Sequence, residues 1–197
     1  MIDSGEDMVI LDSRPMDEYN TMNIPGGVCC PGGELVYRIN AIAPDPDTTV
    51  VVNCAGRTRS IIGAQSLRNA GIPNKVVALR NGTMGWHLSG FQLEHGNTKN
   101  HPDVATSDVD TAQGRAADVA GRFAVETVTP QQVEAWKKDG SRTLFLLDVR
   151  TAGEFAAGHL AGAKHAPGGQ LVQATDRYAG VRAVSYTHLR AHETYPH

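Results

Sequence analysis

Val50-Val51-Val52-Asn53-Cys54-Ala55-Gly56-Arg57-Thr58-Arg59-Ser60 is the stretch from which the fold can be read. Three consecutive β-branched residues predict a buried strand over Thr49–Asn53, and the apolar, helix-periodic run that follows predicts a helix over Ser60–Ala70. Between them lies a short turn with one cysteine, one glycine and two arginines. In a parallel α/β unit, ligands bind at the carboxyl ends of the strands, where the next helix aims its first N–H groups and its positive dipole end. A thiol placed there is biased toward the thiolate. The stretch therefore reads as a nucleophile, Cys54, in a cradle built for an anion.

The rest of the chain sets the frame for that loop. A hydrophobic fraction of 41% with 20% charged residues is that of an ordinary globular protein. A net charge of -3, with no basic block or stripe, argues against a nucleic-acid partner. No apolar run approaches the roughly 20 residues of a membrane span, and the acidic start Met1-Ile2-Asp3-Ser4-Gly5-Glu6-Asp7 has no signal-peptide core. Three cysteines, two of them adjacent at Cys29 and Cys30, make no disulfide framework. These features fit a reducing, cytoplasmic setting, in which Cys54 stays a thiol. Nothing in the sequence sets an oligomeric state.

An internal repeat organises the chain. Val9-Ile10-Leu11-Asp12-Ser13-Arg14 is matched by Phe145-Leu146-Leu147-Asp148-Val149-Arg150, Glu18-Tyr19 by Glu154-Phe155, and Gly26 by Gly162. Pro31-Gly32-Gly33-Glu34-Leu35-Val36 is matched by Pro167-Gly168-Gly169-Gln170-Leu171-Val172, all at one offset of 136 residues. A shared register without gaps indicates a duplicated domain. The expected organisation is a first domain over 1–96, a linker and connecting helix over 97–126, a second copy over 127–182 and a tail over 183–197. The second copy opens on a helix with Thr129 as N-cap and Pro130 at the first helical position, which has no counterpart after Met1. At the same offset Cys54 falls on Arg190, so the second copy is read as incomplete and without a catalytic loop. The segment from Val184 to His197 carries no Val-rich strand and is expected to be a non-native tail outside the fold, its histidines frayed rather than metal-binding.

Within the first domain the patterns predict a strand at Met8–Leu11, helices near Pro15–Asn20 and Gly33–Ile42, a strand at Lys75–Leu79 and a short helix within Asn81–Ser89. A further helix is expected over Val109–Phe123, packed on one domain. Strands alternating with helices imply a parallel sheet covered on both faces.

Three motifs in this order resemble those of rhodanese domains. Asp12-Ser13-Arg14 with Glu18-Tyr19 and Ile24-Pro25-Gly26 is similar to the family's N-terminal signature, and Val77-Ala78-Leu79-Arg80-Asn81-Gly82-Thr83-Met84-Gly85-Trp86 to its C-terminal one. Cys54-Ala55-Gly56-Arg57-Thr58-Arg59 resembles its six-residue active-site loop. Asn81 stands where the family usually has glycine, a change that left-handed backbone tolerates. The resemblance covers most of residues 1–96 and, in its first half, about 127–182, like the tandem sulfurtransferases. It implies a three-layer fold with a central parallel sheet flanked by helices, and a ping-pong sulfur transfer. Cys54 would take a sulfane sulfur from thiosulfate or another small anionic donor and pass it, through a persulfide, to cyanide or a thiol. No cofactor or metal is called for.

The residues fit that chemistry. The amides of Ala55, Gly56, Arg57, Thr58, Arg59 and Ser60 can converge on the sulfur as an anion nest, and the guanidinia of Arg57 and Arg59 suit a multi-oxygen anion. Arg38 is a further candidate anion ligand, or else part of a solvated helix face. Asp12 and Arg14 recur in the copy that lacks the loop, so a structural role is expected: Asp12 accepting loop N–H groups near the pocket, and Arg14 pairing with Glu18. Cys29 and Cys30 are read as core fillers rather than resolving thiols, and Trp86 and Phe91 as core. Neither His87 nor His95 is expected to act as a base.

Two other classes share the pattern. Phosphatases and arsenate reductases of this fold use Cys-x5-Arg to surround a tetrahedral anion, whereas here Arg59 stands five positions after Cys54 and Ser60 occupies the sixth. The shorter loop suits a single sulfur atom. A non-catalytic docking or regulatory module is the other reading; the second copy fits it, while the intact Cys54 with two arginines sets the first copy apart. A plain buried thiol is the bland reading of Cys54, and the neighbouring glycine and arginines weigh against it.

Overall fold

In the computed structural model, residues 5–180 and the backbone of 185–189 are described. The chain forms two units, Met1–Ala124 and Val125–His197. In the first, the order is β1 (Met8–Asp12), α1 (Met16–Thr21), β2 (Val28–Cys29), α2 (Leu35–Ile42), β3 (Thr49–Asn53), α3 (Thr58–Asn69), β4 (Val76–Ala78), α4 (Gly82–Leu88) and α5 (Thr106–Arg122). The strands form one parallel sheet in the order β2-β1-β3-β4.

Alternation along β3 divides the core into two layers. Val50 and Val52 point to the face where Leu35 and Ile39 of α2 and Ala64 and Leu67 of α3 pack, together with Leu11 and Val76. Val51 points to the other face, with Ile10, Ile24 and the half-buried Trp86 of α4. A strand apolar on both sides is what a parallel sheet covered by helices requires. Gly63 permits the close seat of α3, because a Cβ there would lie 2.6 Å from a Leu35 methyl group. β1 and β3 run in register from Met8↔Thr49 to Asp12↔Asn53, so Asp12 and Asn53 end side by side at the carboxyl edge.

The segment expected to be a linker is partly built into this unit. Asn100 pairs with Cys29 at the outer edge of β2, and just ahead of this segment Glu94 bridges Asn23. The Cys29 amide donates to the Lys99 carbonyl, and the Cys29 carbonyl accepts from the His101 amide, both at 3.0 Å. An otherwise open strand edge is thereby covered. α5 packs on α2, where Arg115 donates to the Asn40 side chain at 2.8 Å.

The second unit repeats the plan with α6 (Pro130–Lys138), β5 (Leu144–Asp148), α7 (Ala152–Ala157), β6 (Lys164–His165), α8 (Gly168–Gln173), α9 (Thr175–Tyr178) and β7 (Ser185–Leu189), in a parallel sheet ordered β6-β5-β7. Thr129 caps α6 in a full capping box with Gln132, and Pro130 takes the first turn, where its missing N–H costs nothing. β7 corrects the expectation that everything after residue 182 stands outside the fold. Its backbone pairs with β5 from Leu144↔Ser185 to Asp148↔Leu189, the register that β3 holds against β1 once the repeat offset is applied. Backbone hydrogen bonding needs no valine, and Tyr186 and Thr187 are good strand formers. The remainder of the expected tail, 190–197, lies outside the described residues.

Candidate active site

Cys54 sits at the end of β3, between the strand and the first turn of α3, and is only 2% exposed. Its loop is held from below by α4. The Thr83 amide donates to the Cys54 carbonyl at 2.9 Å and the Met84 amide to the Ala55 carbonyl at 3.0 Å, while the Thr83 hydroxyl also reaches the Cys54 carbonyl at 3.3 Å. With the carbonyls tied back, the N–H groups of the loop are left for something else. Among the described residues, the amides of Ala55, Gly56, Arg57, Thr58, Arg59 and Ser60 donate to no protein acceptor. Three of these, Thr58 to Ser60, open a twelve-residue helix, so its dipole adds to the same field.

Ser60 connects the thiol to the helix start. Its hydroxyl donates to the Arg57 carbonyl at 2.9 Å and accepts from the Cys54 thiol at 3.5 Å. Asn53 ties the strand end sideways, donating to the Asp12 carboxylate at 3.1 Å and to the Thr83 hydroxyl at 2.9 Å. Ser13 donates to the Asn53 carbonyl at 2.7 Å. The loop is thus fastened to β1, to α3 and to α4 at once, the preorganisation that an anion cradle needs.

The turn at Asn81–Gly82 is what brings α4 so near. Both residues are left-handed, with φ of +59° and +57°, and a Cβ on Gly82 would stand 2.2 Å from the Cys54 carbonyl oxygen. Only glycine fits. The sequence alone does not reveal that Gly82 and Thr83 shape the loop, since their part depends on an approach across the fold.

Each expected site residue now has a place. Arg57, the N-cap of α3, is exposed and makes no ion pair with a described residue. Arg59 points instead to α1: its two terminal nitrogens bind the two oxygens of Glu18, each at 2.6 Å. The hydrogen bonds to Glu18 raise the Arg59 guanidinium further above its usual range. Arg38 is engaged by Glu34 at 2.8 Å and by the Pro102 carbonyl at 3.3 Å, which turns it away from a role as a free anion ligand.

The expected pairing of Arg14 with Glu18 is overturned. Arg14 curls back onto Asp12, donating from its backbone amide, Nε and Nη2 at 3.1, 2.8 and 2.6 Å, and Nη2 also meets the Met22 carbonyl at 2.7 Å. Asp12 therefore serves Arg14 and Asn53, and it takes no amide from the 55–60 loop. In the second unit Arg150 closes on Asp148 and the Gly158 carbonyl in the same way. The recurrence marks a turn lock that serves the fold in both units.

The other two thiols are buried. Burial, with Asp12 nearby, pushes Cys29 up to about 12, and burial raises Cys30 further, so neither is a thiolate at neutral pH. The Cys29 thiol donates to the Arg14 carbonyl at 3.6 Å. Trp86 joins the second-face core and carries the half-exposed Phe91 against its ring, with centroids 4.6 Å apart. His95 is occupied by the Thr21 carbonyl at 2.7 Å.

A parallel α/β domain with a cysteine at the carboxyl end of its central strand, opening a loop whose amides meet no acceptor among the described residues, defines a class of cysteine-loop α/β domains. The rhodanese-like domain family matches residues 1–89 and 129–188, and the chain belongs to that family. The crystal structure of thiosulfate sulfurtransferase from Pseudomonas aeruginosa is similar over 96% of this chain and 36% of that one, at 53% identity and a TM-score of 0.93. The HTH-type transcriptional regulator Rv0324 of Mycobacterium tuberculosis is 30% identical over 103 residues, 51% of this chain and 43% of the relative. The putative sulfur carrier protein YrkF of Bacillus subtilis is 32% identical over 85 residues, 43% of this chain and 44% of the relative. The chain thus spans less than half the length of each of these proteins.

Proposed function

We propose that the first unit is a rhodanese-type sulfurtransferase domain that carries a sulfane sulfur on Cys54. The observation that carries this reading is the loop itself: six consecutive amides without protein acceptors among the described residues, directly following one buried cysteine. The Cys54 thiolate attacks the outer sulfur of thiosulfate, the S–S bond of the donor breaks, and sulfite leaves with the bonding pair. The cysteine persulfide that remains is an anion whose terminal sulfur the loop amides can hold. Cyanide or a thiolate then attacks that terminal sulfur, and Cys54 departs as thiolate. Proton and electron counts close without any cofactor, and Ser60 can turn its hydroxyl toward the anionic sulfur in either state.

The likeness to a thiosulfate sulfurtransferase at 53% identity supports the donor class. The five-residue interval from Cys54 to Arg59 supports sulfur over phosphate, because one fewer residue leaves room for one atom rather than a tetrahedral group. The test is mass spectrometry of the chain after exposure to thiosulfate. Cys54 should gain one sulfur, about 32 Da, discharged by cyanide as thiocyanate and absent in Cys54→Ser. Hydrolysis of an aryl phosphate dependent on Cys54, with no sulfur adduct, would favour the phosphatase class; no adduct and no hydrolysis would favour the docking module.

A further inference from the structure

We infer that Glu18 is a specificity-determining residue, which sets the charge of the sulfur donor by neutralising Arg59; the inference rests on the sulfurtransferase reading. The charges around Cys54 fall into pairs. Asp12 is closed by Arg14 at 2.6 Å and both are buried. Glu18 closes Arg59 through two bonds of 2.6 Å, with the guanidinium side chain only 11% exposed. Within the loop, Arg57 is left as the guanidinium without a carboxylate partner among the described residues. The cradle therefore presents one net cationic side chain, where a count of arginines in the sequence gives two.

The repeat shows that this use of Glu18 is a local arrangement rather than a requirement of the turn. Its counterpart Glu154 folds back to cap α7, accepting from the Thr151 amide at 3.0 Å and the Thr151 hydroxyl at 2.6 Å. In the first unit the N-cap is Pro15, which offers neither an N–H nor a hydroxyl. Glu18 is thereby released from capping, and its carboxylate reaches across to α3. A charge placed this way acts on every anion that enters the loop, and more strongly on a dianion than on a monoanion.

Glu18→Gln leaves Arg59 uncompensated beside Cys54. One added positive charge close to the loop, in surroundings between water and protein, favours a doubly charged donor over a singly charged one by about tenfold. The experiment compares second-order rates of Cys54 persulfide formation with thiosulfate, a dianion, and benzenethiosulfonate, a monoanion, at fixed ionic strength on the full chain. Each donor delivers its terminal sulfur and leaves as sulfite or sulfinate, so the chemistry at Cys54 is the same. The thiosulfate-to-thiosulfonate ratio should rise in Glu18→Gln, stay near the parent in Glu18→Asp, and return to it in the double variant Glu18→Gln with Arg59→Gln. Arg59→Gln alone exposes the Glu18 charge and should lower the ratio, an arm that stands even if Glu18→Gln does not fold. Glu134→Gln, which breaks the Glu134–Lys137 pair of the second unit, is the control for loss of an ion pair as such.

Equal ratios in the parent and Arg59→Gln, or a double variant that does not return, overturn the inference while leaving sulfur transfer in place. A parent whose Cys54 accepts sulfur from neither donor overturns the sulfurtransferase reading, and the inference falls with it.

Discussion

Replacing Gly82 with alanine tests the whole account of how the loop is held. Two costs arise and can be separated. The first is backbone: at φ of +57° an alanine costs about 1–2 kcal/mol over glycine wherever it sits. The second is steric and specific to this place, because the new Cβ would meet the Cys54 carbonyl oxygen at 2.2 Å and the Gly56 carbonyl oxygen at 2.8 Å. Opening the first of these to 3.0 Å moves the strand end or α4 by about 0.8 Å. The bonds from Thr83 and Met84 to the loop carbonyls then lengthen, at a cost of about 1 kcal/mol each.

Gly26 supplies the matched control, with φ of +76° and no atom within 4 Å of where a Cβ would stand. Gly26→Ala should lose about 1–2 kcal/mol in denaturant titration and keep its rate of sulfur loading within roughly twofold. Gly82→Ala should lose about 3–4 kcal/mol, and its loading rate should fall about a hundredfold, since displacement near 1 Å is worth about that much at a reacting centre. Loading is followed as the mass shift on Cys54 in a timed thiosulfate pulse, on samples shown by circular dichroism to be folded. A folded Gly82→Ala that loads like the parent would refute the claim that α4 sets the loop geometry. So would a Gly26→Ala that fails to the same degree.

Three further outcomes follow from the same geometry. Tyr19 is fully buried and its hydroxyl donates to the Gly27 carbonyl at 2.8 Å, so Tyr19→Phe should cost about 1–2 kcal/mol with an unchanged denaturant slope, read by urea titration. Cys29 is pushed up to about 12 and Cys30 is raised by burial as well; in the folded protein at about pH 8 both should resist iodoacetamide, and both should label after denaturation, as peptide mapping would show. The Arg150 hydrogen bonds hold the Asp148 carboxyl below its usual value, so the stability they give is present above the ordinary carboxylate range and is lost as pH falls through the lower folded value. The melting point of the second unit, followed by Trp136 fluorescence in a Trp86→Phe background, should therefore drop between about pH 5 and 3, and Asp148→Asn should flatten that slope.

The framework of the first unit is legible in the sequence because its signals are local. β-branched runs and alternation place β1, β3 and β4 to within two residues, and the Pro-Gly-Gly run marks the entry to α2. α3 begins at Thr58, two residues ahead of the expectation, because arginine and threonine give no apolar periodicity to announce a first turn. Side-chain partners are less legible. Arg14 and Glu18 are four apart, the spacing of a helical pair, yet α1 begins only at Met16, so Arg14 is not on the helix and the rule does not reach it. What decides its partner is the Asp12 carboxylate two residues back. β7 escapes the sequence pattern for a different reason: its polar composition hides a strand whose place is set by pairing with β5. The contact of Gly82 with the Cys54 loop joins residues nearly thirty apart and leaves no local trace beyond the glycine itself.

The duplication separates what the fold needs from what the loop needs. The Asp-x-Arg lock has the same partners and nearly the same distances in both units, Arg14 with Met22 and Arg150 with Gly158, so it belongs to the turn after the first strand. Three residues at the Cys54 loop do not repeat. Asn53 corresponds to Leu189, Arg59 to Tyr195 and Cys54 to Arg190. Where those partners are missing, Glu154 spends its carboxylate on its own helix, and where they are present Glu18 is turned outward to Arg59. The lock is common to both units, whereas the ties from Asn53 and Arg59 belong to the first. The first unit fastens its loop from three sides and leaves six amides without a described protein acceptor. That arrangement supports the proposed transfer of sulfur through Cys54 over a docking role.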